Sequence, residues 1–317
     1  MNKRRFLLAA GLAGLGLHAA ARSAAADPLK VIVATPAGGA SDTAARIVAQ
    51  ALASQSGRQV MVENRPGGNG VPAVQALLTA PPDGKTLLWA SGSMAGLPIL
   101  VRSSPLKSMN ELTPVAPVMN LVYGLFVNPR IPARTVEEFG AYLRAHPDQL
   151  SYATGVLSEY MAAVAYLRAA GARALRVPYK GGAQLLPDLI AGEVQFNIGP
   201  LAPALPHVRS GRLRLLATLP DRSEAVPDVP AMAEAGLAVE ALPSWNGLVA
   251  PPHTPPDVVA RLAEGVNRVL AGPGLRHTLE AQGLRVTGGT PEQLAEAIDT
   301  ATQTWRRFVR EHDIPQE

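Results

Sequence analysis

The residues Thr35-Pro36-Ala37-Gly38-Gly39-Ala40-Ser41-Asp42 follow an apolar run over 29–34 and open a helix-like segment over 43–54. A strand, a glycine-rich turn and a helix in that order leave several backbone N–H groups pointing into one small volume. The first turn of a helix has N–H donors without carbonyl partners and carries a partial positive charge. Two adjacent glycines let such a backbone approach a ligand closely. This arrangement binds a carboxylate or phosphate with no basic side chain. The same residues also suit an ordinary capped turn, with Ser41 or Asp42 as the N-cap.

No catalytic constellation accompanies the loop. His146, His207, His253, His277 and His312 are scattered, no pair of them has metal-ligand spacing on a helix, and no Gly-x-Ser-x-Gly elbow is present. The chain has no cysteine, which excludes disulfides and thiolate metal sites. Nothing calls for a cofactor. Lys180 stands between strand-like residues and Gly181-Gly182, either complementing an anion in a cleft or serving as a solvated turn lysine. Ser91-Gly92-Ser93 follows one strand-like run, and Asn197, Gly199 and Pro200 accompany another; strand ends of this kind face clefts in α/β folds. The stretch Asn64-Arg65-Pro66-Gly67-Gly68-Asn69-Gly70 has the spacing of neither a P-loop nor a dinucleotide fingerprint, and reads as a structural turn. Trp245 and Trp305 read as packing residues.

The elements that must position these groups alternate along the chain. Strand-like runs fall at 30–34, 60–63, 86–90, 121–127, 173–177, 194–198 and 213–218. Helix-like segments fall at 44–54, 71–79, 136–145, 160–170, 185–191, 231–235, 256–271, 274–282 and 291–310. Alternation of this kind predicts α/β architecture with mostly parallel or mixed sheets flanked by helices. Proline pairs at 81–82, 251–252 and 255–256 read as rigid turns.

Residues 1–26 read as an export signal. Lys3, Arg4 and Arg5 start it, an apolar stretch follows over 6–17, and Ala24-Ala25-Ala26 offers a cleavage point before Asp27. The apolar stretch is short of the roughly 20 residues a membrane helix needs. Lys3-Arg4-Arg5-Phe6-Leu7 is close to a twin-arginine signal without matching it, so the export route stays open between two pathways. With Arg22, the segment holds four of the 29 basic residues and none of the 25 acidic ones, so the rest of the chain is formally neutral. Neutrality removes the compositional argument for nucleic acid or an anionic membrane surface as partner.

Seven motifs carry a resemblance when taken in order. They are Pro36-Ala37-Gly38-Gly39 with Asp42-Thr43-Ala44-Ala45-Arg46, Val62-Glu63 leading into Asn64–Gly70, and Pro82-Asp83-Gly84-Lys85-Thr86-Leu87-Leu88. Then come Val177-Pro178-Tyr179-Lys180-Gly181-Gly182, Leu205-Pro206-His207-Val208-Arg209-Ser210-Gly211-Arg212-Leu213-Arg214, Val226-Pro227-Asp228-Val229-Pro230 with Glu234-Ala235-Gly236, and Ser244-Trp245-Asn246-Gly247-Leu248. In this order the chain resembles the substrate-binding proteins of tripartite tricarboxylate transporters, the Bug or TctC family, over essentially all of residues 27–317. The resemblance implies a periplasmic binding protein of type II-like, two-lobed form that closes on a small carboxylate. Lobe one would comprise 27–122 with 244–317, and lobe two 123–243, with the chain crossing between them near 120–125 and 240–246. It further implies membrane permease subunits as partners, a sensor protein as a second one, and a monomer.

The resemblance places two loops on the ligand. One is Pro36, Ala37, Gly38, Gly39, Ser41 and Asp42; the other is Thr154, Gly155, Val156, Leu157 and Ser158, leading into the helix at Tyr160. Ser91, Gly92, Tyr179, Lys180, Asn197 and Gly199 complete the expected site. The second loop departs from the family pattern, because Leu157 stands where glycine is usual and Tyr160-Met161 where a histidine is. A leucine there implies a ligand with an apolar body beside its carboxylate, or a looser grip by lobe two. Two other functions fit parts of the same pattern. A sensory binding protein without a transporter would use the same cleft, and an exported α/β hydrolase would need a nucleophile–base pair that no motif supplies.

Overall fold

The computed structural model describes residues 27–239 and 243–316. The expected signal over 1–26 lies outside the described residues. The chain runs β1 (Leu29–Val33), α1 (Ala40–Ser56), β2 (Val60–Asn64), α2 (Val71–Leu78), β3 (Thr86–Ser91), α3 (Leu97–Leu100), β4 (Thr113–Leu121), β5 (Tyr123–Val127) and α4 (Val136–Ala145). It continues through β6 (Ser151–Thr154), α5 (Leu157–Ala169), β7 (Leu175–Pro178), α6 (Gly182–Ala191), β8 (Phe196–Pro200), α7 (Leu201–Arg209) and β9 (Arg214–Leu219). It ends with β10 (Trp245–Ala250), α8 (Pro256–Leu270), α9 (Pro273–Glu280), β11 (Leu284–Val286) and α10 (Pro291–His312). A 3-10 turn, Gly92–Gly96, joins β3 to α3.

These strands form two sheets, one in each lobe. The first has the order β11-β4-β10-β3-β1-β2 and the second β7-β6-β8-β5-β9. Both are mixed. β1 runs parallel to β2 and β3, and β6 parallel to β7 and β8, while β10, β11, β5 and β9 pair antiparallel. β5 and β10 are buried along their whole lengths, as expected for strands with helices on both faces.

The apolar run over 121–127 is not one strand. β4 belongs to the first sheet and β5 to the second, and Val122 alone separates them. The chain crosses between lobes there, beside the return crossing, where the Leu121 N–H donates to the Ser244 carbonyl. β4 carries Pro114 and Pro117, which argue against a strand in the middle of a sheet because proline cannot donate to the ladder. The prolines sit at irregularities. The β4–β10 register shifts at Asn246/Gly247 and again at Leu248/Val249, which places Pro117 opposite Gly247 and Pro114 opposite Val249. The segment 231–235 is a series of turns and not a helix; Ala231 makes an isolated parallel bridge to Thr218. Five residues between Pro230 and the left-handed Gly236 are too few to nucleate a helix.

α5 binds the lobes together. It connects β6 to β7 in the second lobe, yet Leu157 and Met161 are buried in an apolar cluster with Met94, Trp305 and Phe308 of the first. At its far end Arg168 donates to the Glu311 carbonyl at 2.8 Å. Among the described residues no helix is long and apolar enough to cross a membrane.

Candidate functional site

Two strand-to-helix loops meet between the lobes. In the first, β1 delivers the chain to Gly39, the N-cap of α1, at φ −74°. The left-handed residue of the loop is Gly38, at φ +84°, so any strain from a side chain falls there and not at Gly39. Neither Ser41 nor Asp42 is the cap. Asp42 lies inside the first turn and reaches back, accepting the Gly38 N–H at 2.9 Å. Its carboxylate also accepts from Arg46 at 3.0 Å and from Asn64 at 2.7 Å. The Gly38 N–H is therefore committed within the protein, and the donors left for a ligand are the N–H groups of the first turn, Ala40 and Ser41.

The second loop repeats the device. Val156 is the N-cap of α5. Glu159 accepts the Gly155 N–H at 2.5 Å, four residues back, as Asp42 accepts that of Gly38. Ser158 is not the cap; its hydroxyl pairs with the Tyr123 hydroxyl at 2.9 Å and its N–H donates to Ser93 Oγ across the lobes at 3.2 Å. Leu157 is 2% exposed. It lines the cleft and also packs into the inter-lobe apolar cluster.

A cavity of about 190 Å³ lies between these loops. The first lobe contributes Ser41, Ser91, Ser93 and Met94 to it, and the second contributes Thr154, Gly155, Val156, Leu157, Tyr179 and Lys180. A smaller cavity of about 60 Å³ adjoins it, sharing Thr35, Ser41, Ser91, Ser93 and Val156 and adding Gly39, Tyr123, Ser158, Glu159 and Trp245. Two buried polar atoms of residues that line the smaller cavity, Thr35 Oγ1 and Trp245 Nε1, find no hydrogen-bond partner among the described residues.

The larger cavity has two cations, Arg176 and Lys180, and no acid in its lining. Arg176 is held in place, its Nε donating to Thr154 Oγ1 at 3.1 Å and its guanidinium lying 4.0 Å from the Tyr160 ring centroid. Lys180 is exposed. Tyr179 donates its hydroxyl to Asp188 at 2.7 Å, so its ring lines the cavity while its polar end is committed.

Several expected residues line neither cavity. Pro36 instead lies so near Gly181 that a Cβ there would come within 2.5 Å of its ring, and Ala37 is exposed beside it. Gly38 and Asp42 form the clasp beneath the first loop. The Gly92 carbonyl accepts from Trp305 Nε1. Asn197 and Gly199 lie within β8 and not after it, underneath the second loop, where the Asn197 amide donates to the Ala153 carbonyl at 2.9 Å. Gly67, Gly68, Asn69 and Gly70 were expected as a structural turn, but they line the larger cavity. Trp245 lines the smaller cavity, whereas Trp305 packs in the core. Trp89 and Arg176 carry no local signal, and Asn246 is marked only by the motif Ser244-Trp245-Asn246-Gly247-Leu248. Asn246 accepts from Ser41 and Trp89, which are 205 and 157 positions away. Among the described residues no cluster suits a metal ion.

Asp42 gives a prediction of its own. Burial raises its carboxyl, but hydrogen bonds from Arg46, the Gly38 N–H and Asn64 outweigh that and hold it below the usual aspartate range. A group depressed on folding stabilises above its unfolded pKa and loses that contribution as pH falls through the folded one. Asp42→Ala should therefore destabilise by about 1–3 kcal/mol, the cost of leaving buried donors unpaired. Urea unfolding should show this gap constant above about pH 5 and closing below about pH 4. A gap that persists unchanged into acid would show that the carboxylate charge has no part in it.

The comparisons with known proteins agree with this geometry. Residues 44–314 match the family described as tripartite tricarboxylate transporter family receptor. The chain is 33% identical over 321 residues to protein BugT of Bordetella pertussis, covering 98% of each chain. Among solved structures it is similar to the periplasmic binding protein BugD, with a TM-score of 0.87 at 24% identity over 92% of this chain and 99% of that one. It is similar to MatC from Rhodopseudomonas palustris with bound malate, with a TM-score of 0.83 at 27% identity over 89% and 98% of the two chains. A second R. palustris protein, solved with adipate, has a TM-score of 0.87 at 26% identity over 92% and 98%.

Proposed function

Because the chain belongs to the tripartite tricarboxylate transporter receptor family, a family of solute-binding proteins, we propose that it holds a small carboxylate between the starts of α1 and α5 and beside Arg176 and Lys180. The observation that carries this reading is the charge of the cavity: two helix N-termini and two cations line it, with no acid among its lining residues. Similar proteins solved with malate and with adipate support the carboxylate. The contacts fall to the Ala40 and Ser41 N–H groups, the hydroxyls of Ser91, Ser93 and Thr154, and the Gly67–Gly70 backbone.

The protein binds its ligand without transforming it. It is exported to the periplasm with cleavage after Ala26, acts as a monomer, and delivers its ligand to the membrane permease subunits of the transporter. The lobe limits at 122/123 and 243/244 fit the two sheets, since the strands of the first lie outside 123–243 and those of the second inside.

A thermal-shift panel on the chain from Asp27 tests the reading, with succinate, malate, adipate, citrate and benzoate as probes. A ligand at one hundred times its dissociation constant stabilises by roughly 2.7 kcal/mol, so at least one acid should raise the unfolding temperature by several degrees. Leu157 adds a finer expectation. Apolar ligand surface buried against it gains about 25 cal/mol per Å², so adipate or benzoate should outrank citrate, and Leu157→Gly should narrow the difference. Citrate binding tightest, with Leu157→Gly neutral, would remove Leu157 from ligand choice.

A further inference from the structure

Two buried carboxylates clasp the two ligand loops, and their surroundings differ in one respect. Asp42 has the Arg46 guanidinium 3.0 Å away. Glu159 is 2% exposed and has no cation partner among the described residues. It accepts only hydrogen bonds, from the N–H groups of Gly155 and Val156 and from the Asn197 side chain. It also lines the smaller cavity, in which the other titratable group is Tyr123.

No group packed around Glu159 is a cation; what favours its charge is the first turn of α5, in which it sits, and the hydrogen bonds it accepts. From β5, Tyr123 presents a hydroxyl whose pKa burial pushes up, so it stays neutral. From β8 come Asn197 and Gly199, and from the 3-10 turn Ser93, all uncharged. Thr154 ends β6, and the cation bonded to it, Arg176, lines the larger cavity together with Lys180 and not the smaller one. Burial accordingly pushes the Glu159 carboxyl up to about 7, against the hydrogen bonds that favour its charged form.

We propose that this cleft binds a proton together with its carboxylate ligand, and that Glu159 is the positioning residue that takes it. The inference rests on the carboxylate reading above. A ligand carboxylate seated on the starts of α1 and α5 in the larger cavity lies next to the smaller one that Glu159 lines, the two sharing Ser41, Ser93 and Val156, and two like charges in adjoining cavities cannot both stay ionised cheaply. A simple carboxylic acid ionises near pH 4–5, so the proton resides on Glu159 and the ligand stays charged. A protonated Glu159 keeps an acceptor oxygen for the Gly155 N–H and gains an O–H donor. The loop remains clasped while the competing charge disappears.

The sign of the effect follows from linkage. In the ligand-free protein Glu159 holds its proton to higher pH than in the unfolded chain, so stability falls as pH rises from about 4.5 through about 7. Binding that takes up a proton must weaken as the proton becomes scarce, approaching ten-fold per pH unit above about 7.

Titration calorimetry of the chain from Asp27 with malate, adipate and benzoate tests this, at about pH 6, 7 and 8 and in triethanolamine and Tris buffers, neither of which is an anion. The expected result is an affinity that drops several-fold between about pH 7 and 8, with a buffer-dependent heat equivalent to more than half a proton taken up per ligand near pH 7.5. Glu159→Gln should flatten both the pH dependence and the buffer dependence. If that variant does not fold, the two-buffer heats of the wild type decide alone. An acid that binds with the same affinity and the same heat at every pH and in both buffers overturns the coupling and leaves the carboxylate reading standing. Failure of all three acids to bind at any pH overturns both.

Discussion

Gly155→Val should abolish measurable ligand binding, with a loss of at least 100-fold in affinity, about 2.7 kcal/mol. The reason is steric and lies in the backbone. A Cβ at position 155 would stand 2.7 Å from the Cα and carbonyl carbon of Gly181 and 2.9 Å from the Gly182 N. These atoms belong to the connection between β7 and α6, and no rotamer change moves them aside. The Thr154–Ser158 loop must therefore shift, taking with it the Gly155 N–H that Glu159 clasps and the first turn of α5. Overpacking of this kind costs about 1–3 kcal/mol of stability, less than a domain of this size carries, so the variant should fold. Gly265→Ala is the matching control: it lies in α8, where a Cβ meets nothing within 4 Å. It should bind normally and gain up to about 1 kcal/mol in stability. Calorimetry with the tightest acid of the panel, alongside circular dichroism of both variants, is the measurement. Wild-type affinity in a folded Gly155→Val protein would take the second loop out of the site.

Trp305→Ala should cost about 3–5 kcal/mol of stability, the range for deleting a large buried aromatic side chain. Trp305 is fully buried in α10, stacks edge-on against Phe308 at 6.0 Å between centroids, and lies over the backbone of the Gly92–Gly96 turn. Its Nε1 donates to the Gly92 carbonyl at 2.9 Å. Truncation leaves that carbonyl unpaired as well as opening a cavity, and an unsatisfied buried polar group adds its own cost. The same turn carries Ser93, which lines the cleft and accepts the Ser158 N–H from the other lobe. Loss of the indole should thus loosen the site as well as the core, weakening binding several-fold in the protein that remains folded. Urea unfolding should show a lower midpoint with an unchanged slope. A loss below about 1 kcal/mol would mean that the surroundings collapse onto the space, and that Trp305 does not hold the turn.

Much of this protein was legible in the chain itself, for a local reason. Whether a stretch becomes strand or helix depends on which neighbours it can bury, and that pattern repeats every two or every 3.6 residues. The run before Gly38-Gly39 and the helix after it are therefore readable, and so is the anion-binding potential of the turn between them. Ordered motifs such as Val177–Gly182 carried the family, because a run of turn and strand signals in fixed order is a property of sequence.

What the N–H groups of that turn face is a different kind of fact. The Gly38 N–H is consumed by Asp42, while Ser41 is steered by Asn246, 205 positions away. The Gly67–Gly70 stretch, an ordinary turn by composition, lines the cavity because β2 lies beside β1 at the sheet edge. β4 tolerates two prolines because both lie outside the Met119–Leu121 stretch that pairs with β11, at register shifts in its pairing with β10. Glu159 gives no sign in the sequence of being other than a helix-surface acid. Only the packing of β8, Tyr123 and the first lobe against α5 removes it from water and, among the described residues, from a cation. Burial and partnership are set by residues distant in the chain and adjacent in space, and for that reason only the tertiary structure decided which carboxylate of the two loops is paired and which stands alone.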